Sequence, residues 1–430
     1  MSDDYDVLVV GAGAAGLAAG ARLHQAGARV RVLEAAARTG GRAFTDTATF
    51  GVAWDRGCHW LHSASVNPLH AAADELGFAY LGPGSRQARP THLGSRWADE
   101  AERRDIWRAI DAGFSAVKAA GDAGRDVAAS LCLDTASPWL RLSRHWFGVM
   151  SAADPEHVST RDLAAYSDTA ENCPVERGYG ALVQAVAARA APDLDIVTAC
   201  PVETVDWSGA GVTVTTPRGT LTARQLILAV PTSVIARGAI RFTPGLPVEL
   251  EEAFAALPLG AAEKVAFRFD REVFGLPSSS HVDTLDLGNP ARRPVNFVIN
   301  PFGEPMAVGL LGGSNAADLV AAGPQAMADF GLAALVDAFG ADIRARVKTA
   351  ATTAWLADPL IGGAYSCALP GLAHMRARLA PEHAGPLLGG RVLIAGEAVS
   401  THAYSTAHGA HLTGLAAADA ALAQLQGVSA

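Results

Sequence analysis

The start of the chain alternates between short apolar runs and glycine. Residues 7–10 are uncharged and apolar, as in a parallel strand that is covered on both faces. Glycines 11, 13 and 16 predict a turn, after which a helix should continue to about Gln25. A second strand is predicted over residues 29–33, with Glu34 at its tip. The pattern therefore predicts a strand–turn–helix–strand unit.

Along the rest of the chain, the spacing of hydrophobic residues changes twice. Residues 68–189 have a mostly helical pattern, which includes an amphipathic stretch over 99–120. Short alternating segments follow up to residue 230: strands at 212–215 and 221–222 flank a turn, and 225–230 is another buried strand. Residues 264–269 and 306–311 are expected in a second sheet. A last buried strand is predicted over 391–395, followed by a helix from about Ser405.

Composition limits the class of protein. Of 430 residues, 50% are hydrophobic and 18% are charged, which excludes a disordered chain. The 34 basic and 43 acidic residues give a net charge of −9, so we expect no nucleic-acid partner; a cationic ligand is compatible with this charge.

Cysteine usage and the N-terminus indicate a soluble, cytoplasmic protein. The five cysteines are widely spaced without a C-x-x-C pair, so neither disulfides nor a metal site is predicted. The acidic start lacks the basic residues of a secretory signal. The apolar stretch at residues 7–21 is too short for a membrane span. The sequence gives no oligomeric state.

The glycine turn has the context of a dinucleotide site. Gly11 permits the tight turn, Gly13 lets a pyrophosphate approach the backbone, and Gly16 allows close packing of helix on strand. The helix N-terminus supplies amide donors and the positive end of its dipole to the diphosphate. Glu34 can accept hydrogen bonds from a ribose.

A loop rich in arginine and glycine follows Glu34. Arg38, Gly41 and Arg42 can bring amides and a guanidinium onto the same diphosphate, a feature that a simple nicotinamide dehydrogenase does not need. Here the sequence resembles the flavin-containing amine oxidase family, whose opening signature is a glycine turn, an acid and then R-x-G-G-R. The resemblance covers most of the chain, in ordered blocks, and is strongest to polyamine oxidases. The matching blocks are residues 55–62 with 67–68, 175–182, 263–269, 355–365, 395–397 and 404–410.

The resemblance implies a fold and a cofactor. We expect an α/β protein with a discontinuous Rossmann-type FAD-binding domain and a second α+β substrate domain on a mixed sheet. The predicted FAD domain comprises residues 1–70, 195–245 and 385–430, and the substrate domain comprises 71–194 and 246–384. FAD should be bound non-covalently, because Ala364 stands where monoamine oxidases carry the linking cysteine. The implied FAD-binding residues are Gly11, Ala12, Gly13, Ala15, Gly16, Glu34, Arg38, Gly41, Arg42, Gly57, Trp60, Val202, Trp355, Gly396, Glu397, Ser405, Thr406 and Ala407.

The resemblance also implies the chemistry. Lys264 would hold a water at the flavin and assist its reoxidation by O2, and Tyr365 would form one wall of an aromatic cage for a neutral or cationic amine. Thr406 occupies the place of the second cage tyrosine and is expected to hydrogen-bond the substrate. His62 should contact substrate nitrogens, with Trp60 on the same face of an extended segment.

The expected reaction is the oxidation of a polyamine or related secondary amine by hydride transfer to flavin N5. The resulting imine hydrolyses to an aldehyde and an amine, and O2 becomes H2O2. Three alternatives remain. The first is another flavin enzyme, either an oxidase of a different amine or amino acid or a dehydrogenase with a non-oxygen acceptor. The second is a flavin-binding scaffold without activity, and the third is a nicotinamide reductase. Retention of Lys264, Tyr365 and Glu397 argues against the scaffold, and the arginine–glycine loop argues against the reductase.

Overall fold

The computed structural model describes residues 4–82 and 88–427. The predicted domain ranges also include residues 1–3, 83–87 and 428–430, which lie outside the described residues. The strands are β1 (Tyr5–Val10), β2 (Val30–Leu33), β3 (Thr45–Asp46), β4 (Trp54–Asp55), β5 (Trp60–Leu61), β6 (Thr91–His92), β7 (Cys173–Pro174), β8 (Ile196–Val197), β9 (Thr204–Asp206), β10 (Val212–Thr216), β11 (Gly219–Leu228), β12 (Arg241–Thr243), β13 (Ala262–Phe269), β14 (Ser280–Thr284), β15 (Val295–Ile299), β16 (Met306–Gly312), β17 (Val347–Thr352) and β18 (Val392–Ile394).

Helices connect and cover these strands. They are α1 (Ala14–Gln25), α2 (Pro68–Glu75), α3 (Glu100–Asp122), α4 (Leu140–Ser151), α5 (Thr160–Ala165), α6 (Tyr179–Ala190), α7 (Thr232–Ala236), α8 (Val248–Ala255), α9 (Gly313–Ala322), α10 (Pro324–Phe339), α11 (Met375–Leu379), α12 (Pro381–Ala384) and α13 (Ala407–Gly427). Short 3-10 turns lie at Ala64–Val66, Ala129–Cys132, Pro155–His157, Pro301–Gly303, Ala341–Arg346, Trp355–Ala357 and Glu397–Val399. Among the described residues, no helix combines the length and hydrophobicity that a membrane crossing requires.

The first sheet has the order β12-β9-β10-β11-β1-β2-β8, with β18 also pairing with β11. Strands β8, β2, β1, β11 and β18 are joined by parallel pairs, whereas β10 pairs antiparallel with both β9 and β11. All eight strands fall in the segments 1–70, 195–245 and 385–430, so the Rossmann-type sheet is assembled from separated pieces of chain, as predicted.

Strand β11 differs from its prediction. Residues 221–222 and 225–230 were predicted as separate strands, but Gly219–Leu228 is continuous. Its first half pairs antiparallel with β10, and its second half pairs parallel with β1 and β18. The change of partner joins the hairpin to the parallel sheet without a break in the backbone.

The second sheet has the order β17-β13-β16-β15-β14-β6 and is antiparallel except for the β14–β6 pair. One face packs against α9 and α10 through a cluster that includes Phe267 and Phe297. The opposite face packs Val298, Met306 and Val308 against Phe50, Trp54 and their neighbours. A mixed sheet with helices agrees with the predicted second domain.

Three helices lie on the first sheet although the predicted ranges 71–194 and 246–384 assigned them to the second domain. Tyr179 on α6 joins the hydrophobic cluster on the α1 side of the sheet. Phe254 of α8 and Leu379 of α11 join the cluster on the other side. Apolar side chains pack on the nearest sheet whatever their position in sequence. Domains defined as continuous sequence ranges therefore do not capture this placement. The predicted boundaries themselves remain a prediction.

Candidate active site

The glycine turn leaves its backbone open on one side. Gly11 has φ +101°, and a Cβ on Gly16 would lie only 1.8 Å from Gly11 O, so the turn needs glycine at both positions. Gly13 precedes the first turn of α1, and a Cβ built on it would meet nothing within 4 Å. Ala15 is buried in that turn. Free space beside a helix N-terminus is suited to an anion.

Glu34 fixes the turn from the tip of β2. Its Oε2 accepts a hydrogen bond from the Ala12 amide at 2.6 Å, and its Oε1 accepts one from the Ala36 amide at 2.8 Å. The amide of Cys200 donates to the Glu34 carbonyl at 2.8 Å, and Val202, buried in the adjacent hydrophobic cluster, lies two residues after Cys200. Glu34 and Val202 thus lie in the same region, as expected for an adenosine site.

The arginine–glycine loop folds back onto the glycine turn. The Gly40 amide donates to Ala12 O at 2.7 Å, and a Cβ on Gly41 would lie 3.3 Å from the Gly13 Cα. Arg38 is half-buried and lies over the Phe44 ring at 3.9 Å, with no ion pair to another described residue. Burial lowers the pKa of Arg38, and the charge of Glu34 opposes that effect. A partly desolvated cation without a carboxylate partner is suited to a phosphate.

Glu397 is the centre of a buried polar network. Its carboxylate accepts hydrogen bonds from Arg42 at 2.8 Å, from the Ser366 hydroxyl at 2.8 Å and from the Ser405 amide at 2.9 Å. Burial would raise the pKa of Glu397, but the Arg42 guanidinium and these hydrogen bonds hold it below its usual value. Gly396, with φ +140°, donates its amide to Thr413, so the segment is fixed against α13.

The last helix begins later than predicted. The expected start was about Ser405, and α13 begins two residues later, at Ala407, because the Thr406 hydroxyl accepts the Gly409 amide at 2.9 Å and thereby caps the helix. The same hydroxyl donates to Ala403 O at 2.6 Å. Its only proton is therefore already used, so a substrate could reach Thr406 Oγ1 only as a donor. The predicted substrate contact of Thr406 remains a prediction.

Lys264 extends from the second sheet to the loop after β4. Its ammonium donates to Asp55 O and Gly57 O, both at 2.7 Å, which leaves one N–H for another acceptor. Burial lowers the pKa of Lys264 to about 8, against the charges of Asp55 and Cys58. Gly57 must be glycine, since a Cβ there would lie 1.7 Å from Arg42 O. The Trp355 indole donates to the intervening Arg56 carbonyl at 3.0 Å.

Tyr365 and Arg42 connect the two ends of the site. The Tyr365 hydroxyl donates to the Val149 carbonyl on α4, and burial raises the pKa of Tyr365. Arg42 donates to the carbonyl of Ala364, the residue before Tyr365, at 2.6 Å. The loop beside Gly13 therefore reaches the aromatic residue predicted to contact substrate.

Trp60 and His62 lie side by side, but not on an extended segment as predicted: β5 ends at Leu61, and the His62 amide donates to Trp60 O at 3.0 Å in a tight turn. Their ring centroids are 6.2 Å apart. His62 Nδ1 lies 2.5 Å from Asn172 Oδ1, so this nitrogen carries the proton and Nε2 is left as an acceptor. Burial lowers the pKa of His62, with Asn172 and Asp168 opposing it, which favours the neutral ring.

A cavity of about 330 Å³ lies between the second sheet and the loop that carries Trp60. Lys264, Val308 and Leu310 line its sheet side. Its lining contains the acids Asp55, Glu176 and Glu304 and the basic residues His59, Arg177 and Lys264. Asp55 pairs with His59 and Glu304 with Arg268. Over residues 4–82 and 88–427, no three histidine, cysteine, aspartate or glutamate side chains gather as metal ligands.

Comparisons with known proteins identify the family. The pattern described as "Flavin containing amine oxidoreductase" matches residues 79–422, and that of an "NAD(P)-binding Rossmann-like domain" matches residues 9–76. The chain belongs to the flavin-containing amine oxidoreductase family. The predicted family, enzyme class and α/β fold are therefore confirmed, and FAD is the cofactor of these oxidases.

Individual relatives of this amine oxidoreductase cover nearly all of its chain. Probable polyamine oxidase 4 of Arabidopsis thaliana is 29% identical over 96% of this chain and 86% of its own length. Lysine-specific histone demethylase 2 of Homo sapiens is 26% identical, but the chain spans only 52% of that protein. The solved cyclohexylamine oxidase from Brevibacterium oxydans IH-35A has a TM-score of 0.80 at 23% identity, over 99% of this chain and 100% of that one, which shows a shared fold.

The residues of this oxidoreductase fit FAD. The open backbone at Gly13, the guanidinium of Arg38, which has no carboxylate partner among the described residues, and the acid at Glu34 suit the diphosphate and ribose of a dinucleotide. Arg42 donates both to Glu397 and to the carbonyl of Ala364, and so links this region to Tyr365.

Three features of the site were missed at the sequence level. They are the carbonyl groups that hold Lys264, the buried Arg376–Asp162 ion pair behind Glu397, and His281 of β14, whose ring stacks on Trp60. Lys264 and Asp55 are 209 residues apart, so spacing gives no signal for that contact. For β14, the polar residues at alternate positions, 281 and 283, were the available signal.

Proposed function

We propose that this protein oxidises a polyamine or related secondary amine with O2. One amine, one O2 and one water give one aldehyde, one shorter amine and one H2O2. The bound FAD supplies the two-electron acceptor. The observation that carries the proposal is Lys264, whose half-buried ammonium keeps one free N–H in a cavity that also has acidic lining residues.

The remaining residues have roles that follow from their protonation. His62 is neutral with Nε2 as its acceptor, so it binds an N–H of a protonated amine and receives a proton as the amine becomes neutral. The Tyr365 hydroxyl donates a hydrogen bond to Val149 O, so the amine would contact the face of the Tyr365 ring. Lys264 directs its third N–H to a water, and its positive charge stabilises the negative charge that O2 acquires on reduction.

The five unpaired cysteines support a reducing compartment, and we propose a cytoplasmic location. Expression with a fluorescent tag in the native host, followed by fractionation, tests this placement. Recovery in a secreted or envelope fraction would contradict it.

A substrate panel tests the proposed activity. The purified holoenzyme is given spermidine, spermine, putrescine, a monoamine and an amino acid, and both peroxide and aldehyde are measured. We expect the highest kcat/KM for a polyamine, with peroxide and aldehyde in equal amounts. Turnover of the monoamine or the amino acid alone would contradict the substrate class. Aldehyde without peroxide would indicate another electron acceptor.

A further inference from the structure

A histidine and an aspartate form a hydrogen-bonded pair in the wall of the cavity. His59 Nδ1 lies 3.0 Å from Asp55 Oδ2. The Asp55 carboxylate also accepts the Thr45 hydroxyl at 2.5 Å and the Tyr179 amide at 3.0 Å, and its side chain is only 1% exposed. Asp55 is therefore an acceptor in this network, so His59 Nδ1 carries the proton of the hydrogen bond. The carboxylate fixes both the orientation and the tautomer of the ring.

The second ring nitrogen of His59 is open to the cavity. The His59 side chain lines the cavity, is 17% exposed and packs edge-on against Trp60, with ring centroids 4.6 Å apart. Its Nε2 makes no hydrogen bond to a described residue, and it is not one of the buried polar atoms that lack a partner. A carboxylate on one ring nitrogen stabilises the imidazolium that forms when the other nitrogen takes a proton. His59 is therefore built to exchange a proton with a molecule in the cavity.

Lys264 is bound to the same aspartate. Its ammonium donates to Asp55 O, while the Asp55 carboxylate accepts from His59, so one residue holds the cation and the imidazole in the same cavity wall. The positive charge of Lys264 is what stabilises reduced O2, and Lys264 would lose that charge if it gave up a proton. A separate acid beside Lys264 lets the ammonium keep its charge throughout the reaction.

We propose that His59, held by Asp55, is the acid that protonates O2 as it is reduced beside Lys264. This role rests on the proposed function, in which O2 is the electron acceptor. Reduction of O2 to H2O2 takes two electrons and two protons, and both electrons and one proton come from the reduced cofactor. The other proton passes from His59 Nε2 to oxygen: the N–H bond breaks, an O–H bond forms, and the ring returns to its neutral form with the proton on Nδ1. Solvent then returns a proton to Nε2.

Chemically reduced holoenzyme tests this step without any amine. The flavin is reduced with one equivalent of dithionite and is then mixed either with O2, which needs protons to become H2O2, or with ferricyanide, which accepts electrons alone. The variant His59→Asn keeps an N–H donor for Asp55 but has no group that acts as an acid. We expect it to slow reoxidation by O2 about 100-fold and to leave the ferricyanide rate unchanged. His24→Asn, at an exposed position of α1, is the control and should change neither rate.

Equal slowing with both acceptors in His59→Asn, or an unchanged rate with O2, would overturn the assignment. Heteronuclear NMR of the imidazole nitrogens in the oxidised holoenzyme gives a second readout, with the His59 signal identified by its loss in His59→Gln. We expect the neutral ring to carry its proton on Nδ1, and a proton on Nε2 would overturn the inference. Rapid reoxidation by O2 in an enzyme that does not oxidise spermidine would contradict only the proposed substrate. Unaltered reduced enzyme that persists in O2 would overturn both the proposed use of O2 and this inference.

Discussion

Arg376 holds the closing segment of the flavin site from behind. Its guanidinium makes two hydrogen bonds to Asp162, at 2.8 and 2.7 Å, and donates to the Ser366 hydroxyl and the Ala398 carbonyl on either side of Glu397. It also lies 3.9 Å over the Tyr404 ring. The side chains of Arg376 and Asp162 are only 3% and 4% exposed. The pair therefore links α5 to the segment that contains Glu397.

Replacing Arg376 by Met leaves the Asp162 carboxylate buried without its counter-ion. Breaking a buried ion pair in this way costs about 3–5 kcal/mol, a large share of the roughly 5–15 kcal/mol that stabilises a folded protein. The surface pair of Arg144 and Glu156 is the matched control. Its side chains are 37% and 46% exposed, so Arg144→Met should cost at most about 1 kcal/mol.

Urea unfolding followed by circular dichroism measures both variants, and flavin fluorescence in the same titration reports release of FAD. We expect Arg376→Met to unfold and release FAD at lower urea than Arg144→Met. The double variant Arg376→Met with Asp162→Asn should recover part of the loss, because it removes the unpaired charge. Equal midpoints for Arg376→Met and Arg144→Met would refute the reasoning.

Three other results follow from the site. Lys264→Met should slow flavin reoxidation by O2 about 100-fold. In the unaltered enzyme this rate should fall as pH rises through about 8, where the ammonium loses its proton, and the variant should lose that pH dependence. The exposed Lys348→Met should keep both the rate and its pH dependence, and equal slowing of flavin reduction in Lys264→Met would contradict the role of Lys264. Thr406→Ala should lose about 1 kcal/mol of unfolding free energy through its lost helix cap, and Thr406→Ser should not; equal stabilities would argue against the cap. Acid precipitation should leave FAD in the supernatant, since Ala364 offers no thiol, and flavin fluorescence in the pellet would indicate a covalent bond.

Local backbone requirements made part of the fold predictable. Gly11 and Gly16 are required by a turn whose geometry a side chain would obstruct, so the sequence pattern alone located the start of α1. Continuous apolar runs located β1 and β18 because both faces of these strands are covered. The start of α13 was misplaced by two residues, since either Ser405 or Thr406 could serve as the cap and only the structure shows which hydroxyl accepts the Gly409 amide.

Long-range contacts were beyond what spacing can predict. Arg376 and Asp162 are 214 residues apart, and neither lies in a recognisable motif. On the second sheet, Lys264 is opposite Leu310, Leu310 is opposite Asn296 and Asn296 is opposite Asp283. This register involves three strand pairs, two of which include strands that the apolar pattern did not predict. Family resemblance identified Lys264, Tyr365 and Glu397 as candidate site residues, but their hydrogen-bond partners are evident only in the folded structure.

The most direct test mixes the holoenzyme with spermidine in the absence of oxygen and then admits O2. The flavin absorbance near 450 nm should bleach in the first step and return in the second, with one H2O2 formed for each spermidine consumed. A flavin spectrum that spermidine leaves unchanged, or a reduced flavin that persists in air, would contradict the proposal that this protein oxidises polyamines with O2.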